Sequence, residues 1–140
     1  MSGMGKTTVY EIKVAFGDCD PAGIIFFPNY SKWMDASSLH FFMQCGVPPW
    51  REYEKLTGIL GDPLLEIHTR FLSTATYGET LQIHTSVQEW SAKVFKQKHV
   101  IKRGGTVICE GTETRAFCVR VDNDRIKAVA IPQDIRRLCS

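Results

Sequence analysis

At 140 residues with a formal net charge of +2, the chain has the length of one domain with a real core, and its charge gives no argument for nucleic acid as a partner. Its 44% hydrophobic and 23% charged residues are ordinary for a soluble globular protein, and no apolar run approaches the roughly 18 residues of a membrane span. The five cysteines, Cys19, Cys45, Cys109, Cys118 and Cys139, are scattered without a C-x-x-C pair, so neither a disulfide framework nor a zinc site is indicated.

The first residues lack the apolar stretch of a signal peptide, which fits a cytosolic protein with reduced thiols. Gly3-Met-Gly-Lys-Thr7 has the tail of a phosphate-binding loop, but the earlier glycine and the preceding strand are missing. It reads as an N-terminal tail. Over 10–16 the pattern alternates, with Tyr10, Ile12, Val14 and Phe16 on one face and Glu11 and Lys13 on the other, as in a half-buried strand. Residues 18–23, with Pro21 and Gly23, form a turn-rich loop. A helix begins between Phe27 and Tyr30, where Pro28 suits its first turn and Asn29 is a candidate cap; it ends at Gly46, before Pro48-Pro49.

That helix carries Tyr30, Trp33, Met34, Ser37, Phe41 and Cys45 on one stripe, widened by Leu39, Phe42 and Met43. A helix apolar over most of its circumference is buried on most sides. Its length of about 17 residues corresponds to roughly 25 Å, so something must wrap it. Residues 50–57 make a short helical turn closed by Gly58 and Gly61, and strands follow over 64–75, 79–90, 94–103, 107–121 and 126–130. Alternation is clear in Leu65, Ile67, Thr69, Phe71 and in Leu81, Ile83, Thr85, Val87. A last short helix over 132–138 closes the chain. One long helix with an antiparallel meander is an α+β domain, here 1–140 as a single unit.

Asp18-Cys19-Asp20 beside the helix start has three readings. It is a structural turn, a metal site short of histidine partners, or a carboxylate for acyl transfer beside the unpaired N–H groups and positive dipole of a helix start. The loop alone does not decide among them. Cys19 has no base placed near it, and no serine or cysteine elbow accompanies His40, His68, His84 or His99, so a Ser-His-Asp arrangement is unsupported. Asp35 in the second helical turn is either an exposed carboxylate or, if turned inward, a functional charge. Trp50 is a core anchor or the wall of an aromatic pocket. The late basic residues, among them Lys93, Lys96, Lys98, Lys102, Arg103, Arg120, Arg125 and Lys127, are solvated strand faces or a local site for a phosphorylated ligand.

Gly-Asp-Cys-Asp-Pro-Ala-Gly-Ile at 17–24, Pro-Asn-Tyr at 28–30 and a long helix with Trp33 and Asp35 resemble the hot-dog fold acyl-CoA thioesterases, especially the 4-hydroxybenzoyl-CoA thioesterase subgroup. Cys-Gly-Val-Pro-Pro-Trp-Arg at 45–51, Thr-Ala-Thr-Tyr at 74–77, Glu-Trp at 89–90 and the closing Leu-Cys-Ser extend the likeness over nearly the whole chain. The resemblance implies a central helix wrapped by a curved antiparallel sheet, homodimers or homotetramers with sites at the interface, and no cofactor. It implies Asp20 as nucleophile or general base and the Phe27 N–H as the group polarising the carbonyl. Asp35 and Trp50 would surround an aromatic acyl ring, with Asp35 meeting a ring hydroxyl.

Two departures stand out. The subgroup carries basic residues directly after its Glu-Trp pair, where this chain has Ser91 and Ala92; Lys93, Arg125 and Lys127 are the surviving candidates for the CoA phosphates. A histidine that many wider-family enzymes place near position 27 is absent, which argues for a carboxylate-only mechanism. The resulting expectation is hydrolysis of an aromatic acyl-CoA. Its rivals are a general aliphatic acyl-CoA thioesterase, a hydratase or dehydratase, and a non-catalytic acyl-CoA binding module.

Overall fold

The computed structural model describes residues 5–140, so the phosphate-loop remnant at Gly3–Thr7 lies partly outside the described residues. The chain forms β1 (Thr7–Lys13), a short 3-10 turn (Phe16–Asp18), α1 (Pro28–Gln44), α2 (Trp50–Thr57), β2 (Ile59–Gly61), β3 (Leu64–Phe71), β4 (Thr80–Trp90), β5 (Val94–Arg103), β6 (Thr106–Ala116), β7 (Cys118–Arg120), β8 (Ile126–Ala128) and α3 (Gln133–Leu138). A five-stranded antiparallel sheet runs β1-β4-β5-β6-β3, and a second, three-stranded sheet runs β2-β7-β8. This is the expected α+β architecture.

α1 packs on the five-stranded sheet because its stripe is apolar where the sheet is apolar. Tyr30, Trp33 and Met34 join Leu81, Ile83, Ile101 and Ile108 in one core. Phe41, Phe42 and Cys45 join Phe95, Phe117, Ile131 and Ile135 in another. Phe42 meets Phe41, Phe95, Phe117 and Trp50 at ring-centroid separations of 5.3–6.1 Å, in the edge-on or tilted geometries aromatic pairs prefer. Close approach in the first core depends on Gly111 of β6: a Cβ there would stand 2.5 Å from Met34 Sδ.

Several expectations change. β1 ends at Lys13, and Phe16, expected on its buried face, lies in the 3-10 turn with 76% of its surface exposed, edge-on to Tyr77. The sequence alternation continues past the last residue that pairs with β4. Asn29 does not cap α1; its side chain instead donates to the Asp18 carbonyl at 2.8 Å. Leu39 and Met43 face outward, so the helix is covered on fewer sides than its composition suggests. The strand expected over 107–121 is two strands, interrupted at Phe117, whose N–H donates to the Lys93 carbonyl and whose own carbonyl accepts from Val129. That break moves the chain from one sheet to the other. β2 is a further strand where only glycine closure was expected, and β3 stops at Phe71, short of residue 75.

Gly111→Ala forces the buried Met34 side chain out of its rotamer, an overpacking cost of about 1–3 kcal/mol. Urea denaturation is expected to show a lower midpoint with an unchanged slope.

Candidate active site

The loop between β1 and α1 is a self-closed hairpin. Asp20 N–H donates to the Ile24 carbonyl at 2.9 Å, Gly23 N–H returns to the Asp20 carbonyl at 2.9 Å, and Phe26 N–H donates to the Asp18 carbonyl at 2.9 Å. Gly23 makes this turn possible with a φ of 84°. The loop is fastened to the sheet by Ile25 N–H to the Ala75 carbonyl at 3.0 Å and by Thr76 Oγ1 to the Gly23 carbonyl at 2.6 Å. Asp18 is spent on structure, since its Oδ2 accepts from Ala15 N–H at 2.8 Å. Asp20 is half-buried and holds its own turn through Oδ1 and the Ala22 N–H, at 2.9 Å. Its Oδ2 has no such local duty among the described bonds.

Phe27 caps α1 with its backbone, and its N–H has no hydrogen-bond partner among the described residues. An apolar cleft of about 140 Å³ opens beside it, lined by Ile24, Ile25, Tyr30 and Phe71. The hairpin therefore holds Asp20 and the Phe27 N–H in one short segment, and the Phe27 end of it lines an apolar space.

Asp35 and Trp50 meet at a different cleft. It measures about 180 Å³ and is lined by Asp35, Ala36, Ser38, Leu39, Trp50, Asp62 and Arg115, without Asp20 or Phe27. Of the two readings of Asp35, the exposed one holds: its side chain is 73% exposed, with Oδ1 taking 2.8 Å from Arg115 Nη2. Trp50 serves both its readings at once. It packs against Phe42, Tyr53 and Phe117 and still walls the cleft.

Arg115 and Asp62 did not stand out in the sequence. Arg115 lies on the inward face of β6 and donates Nε and Nη2 to Glu113 at 3.1 Å, Nη1 to the Asp62 carbonyl at 3.1 Å, and Nη2 to Asp35. Glu113 also takes His99 Nε2 at 2.6 Å; His99 Nδ1 meets Thr85 Oγ1 at 2.7 Å, and Thr85 meets Ser37 of α1 at 2.6 Å. This Thr-His-Glu set is fully buried between helix and sheet, so no substrate reaches it. Burial pushes the Glu113 carboxyl up, but the His99 ring and the Arg115 guanidinium override it and hold the group below its ordinary value. An ionised Glu113 only accepts, so His99 Nε2 is the donor of that pair. Burial raises Asp62 to about 7; Arg115 opposes the rise, and the charges of Asp35 and Glu113 add to it. The available signal was Glu113 and Arg115 two apart, both charges on the inward face of a strand.

The three basic candidates stand elsewhere. Lys93 lies in the β4–β5 turn, Lys127 on β8 opposite Val119, and Arg125 in the β7–β8 turn, where Asp122 holds it at 2.7 Å. The Asp20 loop is fastened near the start of β4, whereas Lys93 follows its end, about 35 Å of strand away. Within one chain these groups do not meet.

The thioesterase-like superfamily model matches residues 14–138. The chain belongs to that superfamily. It is 40% identical to a 4-hydroxybenzoyl-CoA thioesterase of Pseudomonas sp. strain CBS-3, over 98% of this chain and all of the relative. A solved structure of a 4-hydroxybenzoyl-CoA thioesterase mutant, an aspartate replaced by asparagine and complexed with 4-hydroxybenzoyl-CoA, superposes with a TM-score of 0.90 at 37% identity. The match covers 96% of this chain and 99% of that one. A gentisyl-coenzyme A thioesterase superposes at 0.81 with 33% identity, over 92% of this chain and 99% of that one. The superfamily fold is thus the hot-dog fold that the Asp20 loop and long helix suggested. No described helix is long and apolar enough to cross a membrane.

Asp62 gives the fold a particular pH response. Its native value of about 7 against an ordinary 3.8 means that the folded chain holds a proton the unfolded chain releases between those pH values. Stability is therefore lost from this group as pH rises through that window. Asp62→Asn is expected to raise Tm at pH 8 and change it little at pH 4, as read by thermal melts across the range.

Proposed function

We propose that this chain hydrolyses an aromatic acyl-CoA thioester of the 4-hydroxybenzoyl-CoA type to the free acid and CoA, acting in the cytoplasm as a homodimer or homotetramer of single hot-dog domains. The observation that carries the reading is the 18–27 hairpin, which carries Asp20 and the unpartnered Phe27 N–H in one hydrogen-bonded segment whose Phe27 end lines an apolar cleft. The substrate class comes from the full-length likeness to the Pseudomonas enzyme.

In this reading the thioester carbonyl oxygen takes the Phe27 N–H. Asp20 either attacks the carbonyl carbon or removes a proton from a water that does. In the first route the C–S bond breaks, CoA leaves as thiolate, and water resolves the mixed anhydride to acid and free Asp20. In the second, the water oxygen bonds to carbon and the same C–S bond breaks. Thiolate leaves readily, so no acid group beside the sulfur is needed. A donor placed for the oxyanion contributes about 3 kcal/mol to the barrier reduction.

An assembly is supported by the edge of the large sheet. β3 has β6 on one side only, and Leu64, Leu65, Ile67, Phe71 and Leu72 are all exposed along it. An open apolar edge of this length invites pairing with a second chain. Antiparallel pairing of two copies of β3 about a twofold axis sets the Phe71 end of one against the Leu64 end of the other. Phe71 touches Phe27 and Tyr30, while Leu64 lies opposite Arg115. The pairing therefore brings the Asp35–Trp50 cleft of one copy toward Asp20 and Phe27 of the other. It also carries Lys93, Arg125 and Lys127 toward the neighbouring copy's loop as candidates for the CoA phosphates.

Release of free CoA across a panel of aryl- and alkyl-CoA esters tests the reaction; aryl esters are expected to turn over fastest. Asp20→Asn should lower kcat by roughly 10²–10⁴-fold, and a rate close to wild type would remove Asp20 from the chemistry. Ile67→Lys is expected to shift the light-scattering mass to a monomer and abolish turnover with Asp20 intact. An active monomer would separate catalysis from assembly.

A further inference from the structure

The cleft at Asp35 and Trp50 contains a carboxyl that no step above uses. Asp62 is 8% exposed, directly follows β2 and lines the cleft, and its Oδ2 is buried without a hydrogen-bond partner. Buried acceptors are nearly always satisfied, so the unpartnered oxygen marks a carboxyl at the cleft wall with accepting capacity to spare. A carboxyl turns about its last torsion at little cost, so either oxygen can face the opening.

The neighbours decide what kind of ligand fits. Arg115 is the cation of the cleft, yet four of its five N–H groups are already given to Glu113, Asp35 and the Asp62 carbonyl. An arriving anion would find that cation largely engaged and two carboxyls beside it. The unused capacity is for accepting: Asp62, and the solvent side of Asp35. The walls are Trp50, Leu39 and Ala36, and the space is about 180 Å³. An apolar cavity of about 150 Å³ takes up benzene, so this one suits a single substituted ring.

We propose that Asp62 is a specificity-determining residue. Its carboxyl accepts a hydrogen bond from a hydroxyl or amino substituent on the aromatic ring of the acyl group, in addition to one accepted by Asp35. The preferred substrate is then an aryl-CoA whose ring carries two hydrogen-bond donors. Burial lifts the Asp62 carboxyl to about 7, and a ring donor supplies the partner that its ionised form lacks. The proposal rests on reading this cleft as the acyl site of a thioesterase.

The test compares kcat/KM for benzoyl-, 4-hydroxybenzoyl- and 3,4-dihydroxybenzoyl-CoA in the wild type, Asp62→Asn and Asp62→Leu. The same three proteins are titrated calorimetrically with benzene, phenol and catechol. Wild type is expected to favour the dihydroxy ester over the monohydroxy one by at least about tenfold, and Asp62→Leu to reduce that ratio to within about threefold. A wild type that ranks the esters equally, or an Asp62→Leu protein that keeps the ratio, overturns the proposal. Asp62→Asn keeps the side-chain shape and an acceptor oxygen, so a ratio that it keeps while Asp62→Leu loses it separates hydrogen-bond recognition from misfolding. Should no ester be cleaved by wild type, the thioesterase reading falls and the titration decides. Catechol binding that exceeds benzene binding only when Asp62 is present upholds the role of Asp62, and equal or absent binding overturns it.

Discussion

The arrangement of helix and sheet depends on the buried ion pair between Glu113 and Arg115. Both side chains lie between α1 and the sheet, 1% and 5% exposed, and each is tied to a different part of the chain. Glu113 reaches through His99 and Thr85 to Ser37 of α1, and Arg115 reaches to Asp35 of α1 and to the carbonyl before Pro63. A buried pair adds little net stability over an apolar replacement, but removing one partner strands a charge and costs about 3–5 kcal/mol. The value of the network is positional. It fixes the rotation of α1, and with it where Asp35 and the cleft behind it stand.

The apolar packing supplies the energy that the polar network does not. Aromatic rings at the far end of α1 lock Phe42 among Phe95, Phe117 and Trp50, while Met34 settles over Gly111 at the near end. Between these two cores the polar chain runs through Ser37, Thr85 and His99. A helix held this way has little freedom to slide, so the hairpin before it and α2 after it keep fixed relations to the sheet.

Much of this was legible from residues with one-to-one physical meaning. Pro28 and Gly46 bracketed α1 because one suits a first turn and the other takes a φ of 98°. The Asp18–Gly23 turn chemistry marked the loop where Asp20 stands. Other features were hidden because periodicity names a face without naming what covers it. Leu65, Ile67 and Phe71 alternate like a buried strand, yet β3 is an open edge. Phe117 continues an apolar run, so nothing in the pattern shows the chain changing sheets there. Asp62 and Arg115 lie far apart in sequence and become one site only when the segment after β2 folds against the end of β6.

Trp50 stands on the boundary between the aromatic core and the open cleft, touching Phe42 and Phe117 on one side and facing Asp35 and Arg115 on the other. Trp33 belongs to the other core, beside Tyr30, and Trp90 packs on Phe95 without lining the cleft. The indole at position 50 thus endows the molecule with a built-in optical reporter, whose emission changes when the water next to it is displaced.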